Sequence, residues 1–338
     1  RKAEQLAGTE WQLMLDLARY RNGGHDDRPY EVDLKGYGKT FPHPFGPAQH
    51  PLFFTRLLVS PEGDGLLLDF GRALVEAEGI GQDEVTDYLS MSFSGVDAVN
   101  HFFGPSSLEN EDTVLRLDRT LAELLRFIDK QVGLEHTLIV LSADHGMADM
   151  PEYATELGHA AGRRYSDELL EAARNISAKM FGEPALVKDF FRPSLYLDGD
   201  AIAMANLDRD AVAVELATGL AKLEGVGGAL AAAALPETST PQAAAVRYNH
   251  HPQRSGDIYL YQAPYWFMFD RGAVAAMHGS PWRYDQHVPL IFAGKGIEPA
   301  RVSRLVHPID VAPTLSALLG LSPPAGAQGV PLREVVDN

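Results

Sequence analysis

The sequence contains no cysteine. That absence excludes disulfides, a thiolate nucleophile and thiolate metal sites, and it leaves histidine and the carboxylates as the strong metal ligands. Positive charge is scarce: 29 Lys and Arg stand against 46 Asp and Glu, a formal net charge of −17. Such a chain repels polyanions at long range, so no nucleic-acid partner is expected. Bound cations can reverse the field locally, which keeps small phosphorylated substrates in play. No apolar run reaches the roughly 18 residues that a bilayer-crossing helix needs, so a soluble chain without a membrane span is expected. No basic-then-apolar leader follows Arg1, and any targeting peptide is expected to have been removed or to lie further upstream. Internal repeats and heptads are missing too, and the one low-complexity patch, GGALAAAAL, reads as a packed segment rather than a linker.

What is present suits one large core. A chain of 338 residues with 45% hydrophobic content is near the size at which a second subdomain arises. The apolar spacing of GTEWQLMLDLARY predicts a helix over 8–20. Residues 21–50 lack periodicity and read as a long loop. Ser60, Pro61 and Gly79 bracket a helix. DYLSMSFS reads as a strand over 87–94, the next twenty apolar-periodic residues after Asp112 as an amphipathic helix, and TLIVLS as a buried strand. Strand, helix, strand is the pattern of a parallel sheet. The expectation is therefore an α/β fold with a mostly parallel sheet sandwiched by helices. Residues 1–150 form part of its core, 151–262 an inserted subdomain, and 263–338 a return to the core through VPLIFAG and DVAPTLSALLGL.

Ligand-binding residues in parallel sheets collect at the carboxyl ends of strands. After the first expected strand, Asp97 and His101 are spaced so that one helical turn puts both on one face, able to chelate an ion. After TLIVLS come Asp144 and His145, with Gly146 allowing the backbone to turn. His278 precedes VPLIFAG. Each alone is more often a cap, a turn or a satisfied loop residue. Together they offer two carboxylates and three imidazoles, an oxygen and nitrogen set that Zn²⁺ accepts.

These stretches, SFSGVDAVNHFFGP, LSADHGM, HPQRSGDIYL and HGSPWRYDQHVPLIF, resemble the alkaline phosphatase superfamily. The similarity is greatest to the bacterial PafA-type alkaline phosphatases within the type I phosphodiesterase/nucleotide pyrophosphatase group, and it runs in one order over most of the chain. The resemblance implies an alkaline-phosphatase-like fold and two Zn²⁺. Asp97, His101 and His278 match ligands of the first zinc, and Asp144 and His145 match two of three protein ligands of the second. A zinc pair about 4 Å apart would clamp the attacking and leaving oxygens of an in-line phosphoryl displacement.

The family's Thr nucleophile and its phosphate-binding Asn, Lys and Arg belong to a segment with no counterpart here. Thr9, Thr40 and Thr55 stand in the wrong context. The chain is thus expected to be the carboxyl-terminal part of a longer enzyme, its missing amino-terminal segment supplied covalently or as a partner chain. The implied function is phosphate monoester hydrolysis through a phospho-threonine. Phosphodiesterase or nucleotide pyrophosphatase activity is the runner-up, and an inert metal-binding fragment the alternative of another class. His287 and Asp285 are candidates to brace the metal ligands by hydrogen bonding. His250 and His251 read as structural, Arg254 as a substrate or loop residue, and His25, His43 and His50 as solvated loop residues. The family's habit of export implies a periplasmic or secreted protein.

Overall fold

The computed structural model describes residues 2–272 and 274–337. Up to residue 52 it holds only short 3-10 turns and a two-stranded antiparallel ladder, β1 (Glu10–Trp11) with β2 (His43–Pro44). The helix expected over 8–20 is not formed. The polar groups of that segment are taken instead by Asp112, which is fully buried. Its carboxylate accepts the Trp11 indole N–H (2.7 Å), the Met14 backbone N–H (2.9 Å), the Tyr20 hydroxyl and the Arg116 Nε–H (2.7 Å). Four donors on one buried carboxylate outweigh helix propensities that differ by a few tenths of a kcal/mol, at roughly 0–0.7 per residue.

Helices α1 (Phe53–Leu58) and α2 (Pro61–Glu78) follow. The second is bounded as its sequence demands: the Ser60 side chain accepts the Glu62 N–H, Pro61 takes the first position, and Gly79 closes the helix at φ 66°. Next come α3 (Gly95–Phe103) and α4 (Leu108–Gln131), the latter opened by Ser107, whose hydroxyl accepts the Asn110 N–H at 3.0 Å. The strand expected over 87–94 pairs with nothing among the described residues, and Tyr88 within it is 77% exposed. β3 (Leu138–Ser142) gives its hydrogen bonds to β10 (Leu290–Gly294) in an antiparallel ladder, with Leu141 opposite Ile291. The expected βαβ unit is thus replaced by a pairing between distant parts of the chain, which no local signal encodes.

The middle of the chain contains α5 (Pro151–Glu156), β4 (Gly162–Tyr165), α6 (Ser166–Phe181), β5 (Val187–Phe191), β6 (Ser194–Leu197) and α7 (Gly199–Met204). After them come α8 (Arg209–Leu220), β7 (Val226–Ala231), α9 (Pro241–Asn249), β8 (Ile258–Gln262) and β9 (Trp266–Phe269). Four strands form an antiparallel sheet in the order β5-β6-β8-β7, and α6 and α8 pack on it around Leu169, Leu195, Leu216, Leu220 and Ile258. The one parallel pairing among the described residues joins β4 to β9. The fold is α/β, with that parallel pair set among antiparallel ladders. Helices α10 (Arg283–Gln286), α11 (Val311–Leu318) and α12 (Arg333–Val336) complete it.

A second core gathers Trp11, Tyr37, Phe45, Phe53, Val99 and Phe103. Val99 and Phe103, one turn apart on α3, are buried in it. Burying such side chains is worth about 1.5–3 kcal/mol each. Asp97 and His101, also one turn apart, are thereby held on the opposite side of the helix.

Candidate metal centre

Three imidazoles converge on the carboxylate of Asp97, one from its own helix α3 and two from loops. Its Oδ1 lies 3.5 Å from His101 Nε2, 3.7 Å from His278 Nε2 and 3.8 Å from His145 Nε2. Asp97, His101 and His278 form the one group of three or more metal-competent side chains among the described residues whose ligand atoms all lie within 4.8 Å of one another. The rings of His145 and His278 stack with centroids 3.4 Å apart and planes 9° from parallel.

Each ligand is held by the backbone around it. The start of α3 is fixed by the buried Asp64 of α2, whose Oδ1 accepts the Gly95 N–H at 3.0 Å. The His101 carbonyl accepts the Ala275 and Ala276 N–H groups at 2.7 and 3.2 Å, and in return His101 Nδ1 meets the Ala276 carbonyl at 3.0 Å. That exchange ties the chain just before His278 to the metal-facing helix. Gly146 answers why the half-buried strand β3 runs into Asp-His-Gly: a Cβ there would stand 2.1 Å from the Tyr284 carbonyl oxygen. Only glycine lets the His145 loop lie against that backbone.

The arrangement fits a cation. Nδ1 of His101 faces the Ala276 carbonyl and Nδ1 of His145 the Gly146 carbonyl, at 3.0 and 2.9 Å. A carbonyl only accepts, so both Nδ1 atoms carry protons, and in each ring Nε2 is the atom left to bind a cation. Burial, with His145 beside it, pushes the His278 imidazole down to about 4, which leaves that ring neutral at pH 7. Asp97 Oδ1 is buried and accepts no hydrogen bond. A cation among these atoms would take lone pairs from Oδ1 and from the Nε2 atoms around it. Two ligands at about 2.0–2.1 Å from a tetrahedral zinc stand about 3.4 Å apart, close to the separations seen here.

The other expected residues are distributed unevenly. Asp144 stands at the outer edge, its side chain 86% exposed, with Oδ2 3.5 Å from His145 Nε2 and Oδ1 accepting the His145 N–H at 3.1 Å. Asp285 is 3% exposed, and its Oδ2 accepts the Ser280 N–H at 2.7 Å. His287 is exposed, and among the described residues its ring bonds to no side chain. His251 is exposed, with Nδ1 accepting the Gln253 N–H at 3.2 Å, which is a turn role. The Arg254 carbonyl accepts from the Tyr196 hydroxyl at 3.4 Å. His25 is exposed and His50 half-buried, its Nδ1 accepting the Leu52 N–H at 3.1 Å.

His43 is a correction. Expected in solvent, it is fully buried, with Nδ1 3.3 Å from the Tyr37 carbonyl and Nε2 3.3 Å from Glu109 Oε1. The β1–β2 ladder draws it inside, among Trp11, Phe41 and Phe103. Sequence reasoning also passed over Arg192, whose guanidinium donates to the His278 carbonyl from the turn between β5 and β6. No local motif marks that contact.

An α/β fold with carboxylate and imidazole ligands gathered at the ends of a strand and a helix defines a chain of the alkaline phosphatase superfamily. Within it, residues 49–281 match the type I phosphodiesterase / nucleotide pyrophosphatase family, and the chain belongs to that family. It is 31% identical over 97% of its length to a protein named calcium-transporting ATPase from Myroides odoratus, covering 61% of that protein. To alkaline phosphatase PafA from Elizabethkingia meningoseptica it is 31% identical over 98% of its length, again covering 61% of the relative. The crystal structure of wild-type alkaline phosphatase PafA superposes with a TM-score of 0.89 at 30% identity, covering 99% of this chain and 64% of that one. The chain therefore spans about three fifths of the length of the curated relatives it matches.

Proposed function

We propose that this chain is the metal-binding part of a zinc-dependent phosphate monoester hydrolase, an alkaline phosphatase. In this reading turnover passes through a covalent phospho-threonine whose Thr lies outside these 338 residues. One observation carries it: three imidazole Nε2 atoms converge on the hydrogen-bond-free Oδ1 of Asp97. The relative named alkaline phosphatase PafA supports the substrate class.

Asp97, His101 and His278 would hold the first of two Zn²⁺, and Asp144 and His145 would contribute to the second. Bound zinc supplies Lewis-acid stabilisation of charge that develops on phosphoryl and leaving-group oxygens. The chain's own part is to keep the imidazoles aimed. The Ala276 and Gly146 carbonyls fix the tautomers of His101 and His145, and Asp285 braces the loops behind them. Asp144, at the solvent edge, is placed to take its ligand role where substrate enters. His287 is the second bracing candidate. Residues 151–262 form the inserted subdomain between core parts 1–150 and 263–338, and the four-stranded sheet with its own apolar core supports that division.

Substrates are small phosphorylated molecules, which bound cations would admit despite the acid-rich composition, with no nucleic-acid partner and a periplasmic or secreted location. No helix among the described residues is long and apolar enough to cross a membrane. The family's own name favours diester hydrolysis as the second reading. That a single three-ligand cluster is assembled in a chain three fifths as long as its relatives favours an inert metal-binding fragment as the third.

The experiment is zinc content and hydrolysis of p-nitrophenyl phosphate and bis-p-nitrophenyl phosphate by the full-length protein. Bound zinc with a monoester preference is the expected result. A diester preference would move the reading to phosphodiesterase, and zinc without either activity would leave the fragment.

A further inference from the structure

The loops that carry His145 and His278 come from distant parts of the chain and meet on one residue, Asp285. Its backbone carbonyl accepts the Gly146 N–H at 2.6 Å, next to His145. Its carboxylate Oδ2 accepts the Ser280 N–H at 2.7 Å, two residues past His278. The two imidazoles stack but share no hydrogen bond, so their registry depends on what holds the backbones behind them. Three further contacts close the same unit. Gly146 lies so near Tyr284 that a side chain is excluded. Arg192 donates to the His278 carbonyl from the opposite side, over Gly279, where a Cβ would stand 3.1 Å from its Nη2. The remaining oxygen, Asp285 Oδ1, is buried and accepts no hydrogen bond.

We propose that Asp285 is the positioning residue that joins the two metal-ligand loops into one unit, so that the Asp97–His101–His278 cluster and the Asp144–His145 pair load metal together rather than independently. The inference rests on the zinc reading above and deepens it. Hydrogen bonds behind metal ligands fix their orientation, and removing one costs about 10–100-fold in metal affinity. A residue that holds two ligand loops at once spreads that cost over both.

The test is zinc titration, against a chelating dye, of the metal-stripped full-length protein and its Asp285→Ala, Asp285→Asn and Gly146→Ala variants. Asp285→Ala keeps the backbone carbonyl that holds Gly146 and cuts only the Ser280 arm, yet if the two loops form one unit it weakens binding of both zinc ions in parallel, by at least about tenfold. Asp285→Asn keeps an acceptor for the Ser280 N–H and is expected to recover most of the affinity, with the two variants matching in metal-free thermal midpoint. Gly146→Ala, which opens the other arm, should give the same joint loss with Asp285 intact. Unchanged affinity in Asp285→Ala, or loss of one zinc alone, would overturn the clamp. Should Asp285→Ala fail to fold, Gly146→Ala decides by the same criterion.

If the wild type binds no zinc, the functional reading fails and the clamp is judged separately in the metal-free protein. The ring-current shifts of the stacked His145 and His278 imidazoles should then collapse in Asp285→Ala, and their persistence would refute it.

Discussion

The sheet β5-β6-β8-β7 and the ladder β3–β10 are built from similarly apolar strands, yet their surroundings differ. Leu195 and Ile258 in the first are fully buried under α6 and α8. In the second, the residues of β3 are at best half-buried and Ile291 of β10 is 51% exposed. Val85, ahead of α3, is 72% exposed. Apolar sequence therefore supplies the capacity for burial, while covering helices realise it. The difference separates two jobs within these residues: the covered sheet holds a core of its own, and the open ladder leads into Asp144 and His145, the proposed contributors to the second zinc.

The largest effect is expected at the centre itself. Asp97→Ala removes the carboxylate on which three imidazoles converge, and turnover of the full-length enzyme should fall at least about 10³-fold with loss of zinc. Retained zinc and activity would sink the site. On the covered side, Leu216→Ala should cost about 2–5 kcal/mol, read from urea unfolding. Zinc content per folded molecule should stay at the wild-type value; a fall would break the separation of the two jobs.

A third prediction concerns pH. Burial pushes the Glu31 and Glu109 carboxyls up to about 8, and burial pushes His43 down to about 4. Folded Glu31 and Glu109 keep protons that the unfolded chain releases above about 4.5. Stability therefore falls as pH rises from that value toward about 8. His43 acts in the opposite sense, losing stability as pH falls from about 6.5 to about 4, because only the unfolded imidazole is then protonated. Above about 6.5 the two carboxyls act unopposed, so the urea midpoint should decline between there and about 8. Glu109→Gln should lower that slope by up to about 1.4 kcal/mol per pH unit, and an unchanged slope would show that Glu109 ionises inside the fold. The smallest effect is expected on the open ladder, where Ile291→Ala should change stability by about 0.5 kcal/mol. A cost equal to that of Leu216→Ala would erase the comparison.

What was legible in the sequence divides along the same physical line. The borders of α2 could be read because Ser60, Pro61 and Gly79 act on their own neighbours. Asp97 and His101 could be paired because helix geometry alone sets their spacing. What escaped is non-local. The segment 8–20 was taken from its helical pattern by Asp112, far along the chain. His43 was buried by a two-residue ladder, and β3 was paired with β10 rather than with 87–94. Arg192 touches His278 only through a backbone carbonyl, a contact that leaves no trace in residue spacing.

Asp112 has a consequence for the order of folding. Its donors Trp11, Met14 and Tyr20 lie 101, 98 and 92 residues away in the sequence, whereas Arg116 is one helical turn off. Closing loops of that length costs entropy before any hydrogen bond repays it, while α4 needs only neighbouring residues to form. We therefore expect α4 to form first and the first twenty residues to fasten onto it late. In hydrogen exchange during refolding, the amide of Met14 should gain protection after those of α4, and Asp112→Asn should delay the first without slowing the second.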